Sequence, residues 1–527
     1  MYEKDQIIEF DISSYGASGE GVALAGMPVF IPGAMMGERV RARIVQAKPA
    51  FAKGELIEVL SPSPSRVKPL CPYFENGCGG CELMHMTYEE TLFAKENAVR
   101  NALAHIGGVD VDNCGFMTIL ASPNDVHYRN KAVYHCGREG NVGFYGKKGH
   151  EIRSGKCQLQ SKEAETVRGI VEKALREKRL ESIRGLMVRT TKPGEVLVVF
   201  ITEKKRPKGA ETVIDEIKAA VNKLCGVVCC LPLPDGNPGR TISTLFGSQH
   251  VSDSIFELEY RLSPQSFFQV NPDSTELLYG EAVRMTEPAG KRILDAYCGA
   301  GTISLLMKKR GAEYVRGLEI VAPAIEDAKL NMQKNGLSGC DFICTAVEDG
   351  IENALHDRFD AIVLDPPRKG CDKKVIDAII NSNIDRITYV SCNPATLARD
   401  IKLLSQGGFK TEQVRPVDMF PYTSHVETVC LLSKLNAKQH IEINLDMDEL
   451  DLTDAEKKAT YQEIKDYVLE HSGLKVSSLY IAQVKQQCGI IERENYNKPK
   501  SEDAKQPGCP PDKEKAIKEA LKHFGMI

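Results

Sequence analysis

Late in the chain, Asp365, Cys392, His425 and Glu427 carry side chains able to attack carbon or move a proton. Cys392 lies in Tyr389-Val-Ser-Cys392-Asn393-Pro394-Ala-Thr-Leu-Ala-Arg-Asp400, where an apolar run from Ile387 to Val390 turns directly into a helical pattern. Asn393 is a good N-cap, and Pro394 suits the first helical position because its missing N–H would be unpaired there anyway. The thiol therefore sits at a helix mouth, where unpaired N–H groups and the dipole favour negative charge. That position predicts a thiol that ionises more easily than a free cysteine, and the thiolate is the reactive form. The competing structural reading is a small buried cysteine at a strand end. Asp365 closes the apolar run from Phe359 and is followed by Pro366, Pro367 and Arg368. Glu427 opens an apolar strand after Phe420-Pro-Tyr-Thr-Ser-His425-Val, in line with the thiol, which makes it a better base than His425.

Far upstream stands Cys71-Pro-Tyr-Phe-Glu-Asn-Gly-Cys78-Gly-Gly-Cys81. Two of these cysteines have C-x₂-C spacing, with glycines that let backbone fold around a ligand. Three thiolates need a fourth partner, and Cys157 is the candidate, ahead of Cys114 and Cys136. Four thiolates suit tetrahedral zinc or a [4Fe–4S] cluster, and spacing leaves both open.

The elements that must position the late residues read as a nucleotide-binding α/β sheet. Arg292-Ile-Leu-Asp295-Ala-Tyr297-Cys298-Gly299-Ala-Gly301-Thr302 is a strand, a glycine turn and a helix start, and the next strand ends in Glu319. Glycines allow close backbone approach, and an acid at the second strand's end takes ribose hydroxyls. The turn lacks G-x-G-x-x-G, so S-adenosylmethionine fits better than a dinucleotide. A third strand reaches Glu348 and Asp349, either of which can meet the adenine. Strand carboxyl ends in such sheets face the ligand crevice, which puts Asp365 and Cys392 beside the cofactor. Gln269, an amide embedded in Ser263-Pro-Gln-Ser-Phe-Phe-Gln269-Val-Asn271, can bind a ligand's polar end.

With 527 residues the chain should hold about three or four domains. Its net charge of −4 requires any nucleic acid to be met by local basic patches. Seventeen cysteines, no signal-peptide character at Met1-Tyr-Glu-Lys-Asp and no membrane-length apolar run point to a reducing cytoplasm, without membrane attachment. Residues 1–62 read as short strands with glycine turns, a small β-barrel. Their Gly19-Glu-Gly21-Val-Ala, Val29-Phe-Ile-Pro-Gly-Ala and Gly37-Glu-Arg-Val resemble a TRAM domain, an RNA-binding barrel. His127-Tyr-Arg129-Asn-Lys131 and the basic turn from Glu203 to Lys208 can touch RNA, although such stretches are more often solvated faces. Beyond residue 437 come acidic Asp446–Asp451, helical runs, a Lys/Pro-rich linker from Asn497 to Lys513 and a final helix. Leu474 to Lys485 can be a helix-turn-helix, with a plain packing helix the simpler reading.

An electrophilic methyl, a thiolate, a base and RNA-binding modules narrow the chemistry. Uracil C5 is a poor nucleophile until a thiolate adds to C6; a base must then remove the C5 proton so that the thiolate can leave. The target base has to be flipped out to be reached. The motifs Cys71…Cys78-x₂-Cys81…Cys157, Phe268-Gln269-Val-Asn, Asp295-x-Tyr297-Cys-Gly-x-Gly-Thr, Asp365-Pro-Pro-Arg, Ser391-Cys392-Asn-Pro and His425-x-Glu427 carry a family likeness. Over residues 1 to about 436 the chain resembles the RNA uracil-5-methyltransferases, in their 23S ribosomal RNA branch. The resemblance implies Cys392 as nucleophile and Glu427 as base, with Gln269, Tyr297, Glu319 and Asp365 lining the S-adenosyl-L-methionine site. It further implies a [4Fe–4S] cluster on Cys71, Cys78, Cys81 and Cys157, 23S rRNA as substrate, and a monomer. The tRNA-modifying relatives typically lack barrel and cluster.

The expected fold class is multidomain α/β: a TRAM barrel (1–62), a central α+β RNA-recognition domain with the cluster (63–260), a Rossmann-like methyltransferase domain (261–436) and a helical appendage (437–527). Within enzymes the alternative is RNA cytosine-5 methylation, whose enzymes usually carry a second cysteine where this chain has Arg368. From another class, the alternative is a non-catalytic RNA-binding factor of ribosome assembly. An amino-group methyltransferase, suggested by Asp365-Pro-Pro, leaves Cys392 without a task.

Overall fold

The computed structural model of the chain describes residues 2–147, 149–434, 461–488, 509–524 and 526. They fall into two compact units, Met1–Ala437 and Lys438–Ile527.

Among the described residues the first unit holds three large sheets. The amino-terminal one has six strands in the order Ile7–Asp11, Arg39–Ala47, Ala52–Ser61, Pro28–Ile31, Gly21–Leu24, Ser14–Tyr15. In Arg39–Ala47, Val40, Ala42 and Ile44 are buried while Arg39 and Arg43 face out, the alternation of a sheet wet on one side. The second sheet has seven strands, and in its middle strands Gly185–Thr190 and Val196–Ile201 every residue is buried. Such continuous apolar runs need cover on both faces. Helices Lys162–Arg176 and Ala210–Ala220 share a core with one face. The hairpin Val251–Ile255/Leu258–Leu262 shares a core with the other, so the expected domain border after residue 260 falls inside a strand.

The third sheet runs Cys340–Cys344, Tyr314–Glu319, Arg292–Ala296, Ala361–Leu364, Arg386–Ser391, Glu427–Lys434, Phe409–Val417. Glu427–Lys434 alone runs antiparallel to its neighbours. Arg292–Ala296 pairs with both Tyr314–Glu319 and Ala361–Leu364, so chain order reverses there. In open α/β sheets a ligand crevice forms at this switch point, beyond the carboxyl ends of the strands. Residues 88–120 also belong to this sheet's surroundings: helix Tyr88–Ala102 packs on helix Pro394–Gln406, and Phe116 and Leu120 bridge to Val414 and Val417.

In the second unit, helices Tyr461–Ser472, Ser478–Gln487 and Pro511–His523 enclose their own apolar core, including Ile464, Val468, Ile481, Val484 and Ile517. The acidic run 446–451 and most of the linker from residue 497 lie outside the described residues. Among the described residues no helix is long and apolar enough to cross a membrane.

Candidate active site

Strand Arg386–Ser391 delivers Cys392 to the crevice, and helix Pro394–Gln406 starts two residues later. Asn393 caps it through its side-chain oxygen, which accepts from Ala395 N at 3.0 Å. Asn393 Nδ2 and Thr396 Oγ1 both donate to the carbonyl of Arg368, which ties the helix mouth to the Asp-Pro-Pro-Arg loop. Ser391 pairs with Thr428 on the adjacent antiparallel strand. The next residues outward, Cys392 and Glu427, thus meet at neighbouring strand ends.

The electrostatics reverse one expectation. Burial pushes the Cys392 thiol up to about 11, and the charges of Glu427 and Asp365 push the same way, with Arg368 opposing. Loss of water and two nearby acids thus push the thiol in the direction opposite to that expected of a helix mouth. Glu427 is 4% exposed. Its carboxyl rises to about 8, from burial first and then Asp365, again opposed by Arg368. Burial alone lifts Asp365 to about 7. Arg368 Nη2 lies 3.1 Å from Nδ1 and 3.0 Å from Nε2 of His425, so His425 faces the arginine at this rim. Burial and that cation hold the imidazole below its ordinary value.

The crevice beside these groups has the form of a cofactor cradle. Tyr297 adopts φ +74°, and both its N–H and that of Cys298 donate to Leu318 O at 3.0 Å. A side chain at Gly317 would strike Cys298 Sγ at 2.7 Å, so turn and second strand meet only through glycine. At Gly299 (φ +54°) a Cβ would meet open space, leaving that backbone accessible from the crevice. Glu319 accepts from Gly299 N (3.1 Å) and Val321 N (2.8 Å), which fixes its carboxylate at the rim. Asp295 is fully buried; Oδ2 accepts from Ser304 Oγ, Oδ1 has no partner, and burial lifts it to about 7. Of the two acids after the third strand, Glu348 acts on the Tyr297 phenol, whereas Asp349 is exposed. The segment carrying Gln269 is held from the central sheet: Asn130 Nδ2 donates to Gln269 O at 3.1 Å and Arg189 Nη2 to Ser266 O at 2.6 Å.

Tyr279, on helix Pro272–Thr286, has no counterpart in the motifs. It is buried, its hydroxyl lies 3.4 Å from Thr302 Oγ1, and it feels Gln269, Asp365 and Glu427 together. Its signal in sequence is a tyrosine on the buried face of an amphipathic helix, indistinguishable from core.

The early cysteines converge elsewhere in this unit. Cys71, Cys78, Cys81 and Cys157 line one cavity with Phe74, Arg129 and Leu159. Cys114 and Cys136 pack into separate apolar clusters. Burial pushes Cys157 up to about 11 and Cys81 higher, the latter also through the charges of Cys157 and Cys78. Arg129 leaves Nε unpartnered beside them. Among the described residues no group of three or more His, Cys, Asp or Glu side chains is arranged to hold a metal ion.

Residues 246–435 match the family model described as tRNA (uracil-5-)-methyltransferase. An RNA methyltransferase of Halalkalibacterium halodurans is 37% identical over 458 residues, 82% of this chain and 98% of that protein. One from Bacillus cereus is 38% identical with the same coverage. The solved structure of Pyrococcus abyssi tRNA (uracil-54, C5)-methyltransferase in complex with S-adenosyl-L-homocysteine superposes with TM-score 0.66 at 23% identity, covering 81% of this chain and all of that one.

Proposed function

This chain belongs to the RNA uracil-5-methyltransferase family, and from that premise we propose that it methylates C5 of a uridine in 23S rRNA. The observation that carries the chemistry is the register that sets Cys392 opposite Glu427, with Asp365 acting on both. Cys392, its proton given up to solvent, adds as the thiolate to C6 of the flipped uracil, and the C5–C6 electron pair moves onto the C4 carbonyl as an enolate. S-adenosyl-L-methionine, when bound, supplies an electrophilic methyl for C5 and a positive charge that offsets the neighbouring carboxylates. Gln269, Tyr297, Glu319 and Asp365 are the residues we assign to hold it. Glu427 then takes the C5 proton, the C5–C6 double bond re-forms, and Cys392 leaves. Arg368 draws both Cys392 and Glu427 toward their ionised forms.

The four thiols line one apolar cavity, and on that ground together with the family likeness we assign a [4Fe–4S] group to Cys71, Cys78, Cys81 and Cys157. The amino-terminal sheet is assigned as the TRAM barrel that grips RNA. The fold shared with the archaeal tRNA enzyme, across 81% of this chain, favours a second reading in which the uridine is in tRNA. Mapping 5-methyluridine in both RNAs, with and without the protein, separates the two.

The catalytic assignment is tested by two variants. Cys392→Ala should abolish methylation without trapping RNA. Glu427→Gln should permit addition and methyl transfer but slow release by ~10²–10⁴-fold, the usual effect of losing a positioned base. Methylated RNA should then remain attached to protein on a denaturing gel. Free turnover of Glu427→Gln, or an adduct persisting in Cys392→Ala, overturns the assignment.

A further inference from the structure

Resting on the reading that Glu427 removes the C5 proton, we propose that Glu82 is a positioning residue that ties the cysteine segment to the turn carrying this base. The turn 418–426 joins strand Phe409–Val417 to strand Glu427–Lys434, so its path sets where the Glu427 side chain begins. It is held by residues outside the sheet along its length. Lys95 Nζ donates to Asp418 Oδ1 (2.6 Å) and Phe420 O (2.9 Å), and Tyr88 OH donates to Asp418 Oδ2 (2.8 Å). Tyr128 OH reaches Pro421 O at 3.2 Å. The backbone N–H groups of Glu82 and Leu83 both donate to Tyr422 O, at 3.3 and 3.0 Å. Beside the Arg368–His425 contact, Ser424 N donates to Glu82 Oε2 at 3.1 Å.

Two further features show that this turn is imposed from outside. Tyr422 sits at φ +62°, a region that a tyrosine occupies only where its surroundings over-determine it. Its side chain packs in one cluster with Cys71, Cys81 and Cys157. Glu82 follows Cys81 directly, and Ser424 precedes Glu427 by three residues. One charge-assisted hydrogen bond therefore joins the residue after Cys81 to a point three residues before the base. Glu82 is exposed, so truncating it opens no cavity, and the two backbone bonds to Tyr422 survive any substitution there.

A misplacement of about 1 Å in a reacting group costs on the order of 10²-fold in rate. Glu82→Ala should therefore release methylated RNA on the order of 10²-fold more slowly, with the RNA accumulating on Cys392. Glu82→Gln keeps an oxygen acceptor for Ser424 N and should release RNA as the unaltered protein does. The experiment is a single-turnover time course on denaturing gels, with melting temperature and calorimetric cofactor binding of each variant expected to match the unaltered protein. Release at the unaltered rate in Glu82→Ala, or equal stalling in Glu82→Gln, overturns the proposal. A Glu427→Gln control that turns over freely removes the base assignment and this proposal with it. A trapped adduct in that control beside free release from Glu82→Ala removes the positioning role alone.

Discussion

Cys392 and Glu427 bind protons more tightly than free side chains do, and for Glu427 this has a thermodynamic consequence. Its carboxyl is raised from 4.5 to about 8, so the folded protein keeps a proton that the unfolded chain gives up. The stability this group contributes is complete below about pH 4.5 and is lost as the pH rises to about 8. A tenfold difference in proton affinity between folded and unfolded chain is worth about 1.4 kcal/mol. Glu427→Gln, neutral at every pH, should raise the melting temperature above that of the unaltered protein, more at pH 8 than at pH 5. An equal increment at both pH values would show that the carboxyl is not perturbed. Asp295 and Asp365, raised to about 7, slope the same way but are present in both proteins, so the difference isolates Glu427.

At the scale of elements, the cysteine segment does two jobs with one stretch of chain. Its thiols line a cavity, and its next residues hydrogen-bond the turn before Glu427. Protein prepared without oxygen should be brown and hold about four irons, because thiolate-to-iron charge transfer gives broad visible absorption that zinc lacks. Cys157→Ala should lose that colour. Colourless, zinc-loaded protein of full activity would overturn the iron assignment. Helix Tyr88–Ala102, which follows the cysteines, packs on the helix that begins at Cys392's cap, and its buried Lys95 anchors Asp418. One helix thus braces both sides of the site.

Across the whole molecule, Met1–Ala437 and Lys438–Ile527 are two compact units, and among the described residues three helices of the second share an apolar core. Each unit has an apolar core of its own, so their stabilities should be close to independent. A chain ending at Ala437 is expected to bind cofactor and to methylate a minimal RNA hairpin at the rate of the full chain. Loss of methyl transfer in that truncation would make the terminal unit part of the catalytic machinery.

The sequence alone determined whatever depends on local order. Asn393 and Pro394 start a helix because capping and a missing N–H are properties of adjacent residues, and the structure has that helix there. The apolar runs leading to Asp295, Glu319, Asp365 and Cys392 read as strands from their length and composition, and the structure has strands there. Tertiary structure decided what depends on distance and dielectric. Cys392 gained two acids and lost water, which no local reading of a helix mouth contains. That Cys157 lines the cavity of Cys71, Cys78 and Cys81, while Cys114 and Cys136 pack into apolar clusters, is likewise a matter of tertiary packing. Tyr279 and Glu82 carry no motif; they matter only because packing brings a distant helix and a distant loop against the acids and the turn at the active site.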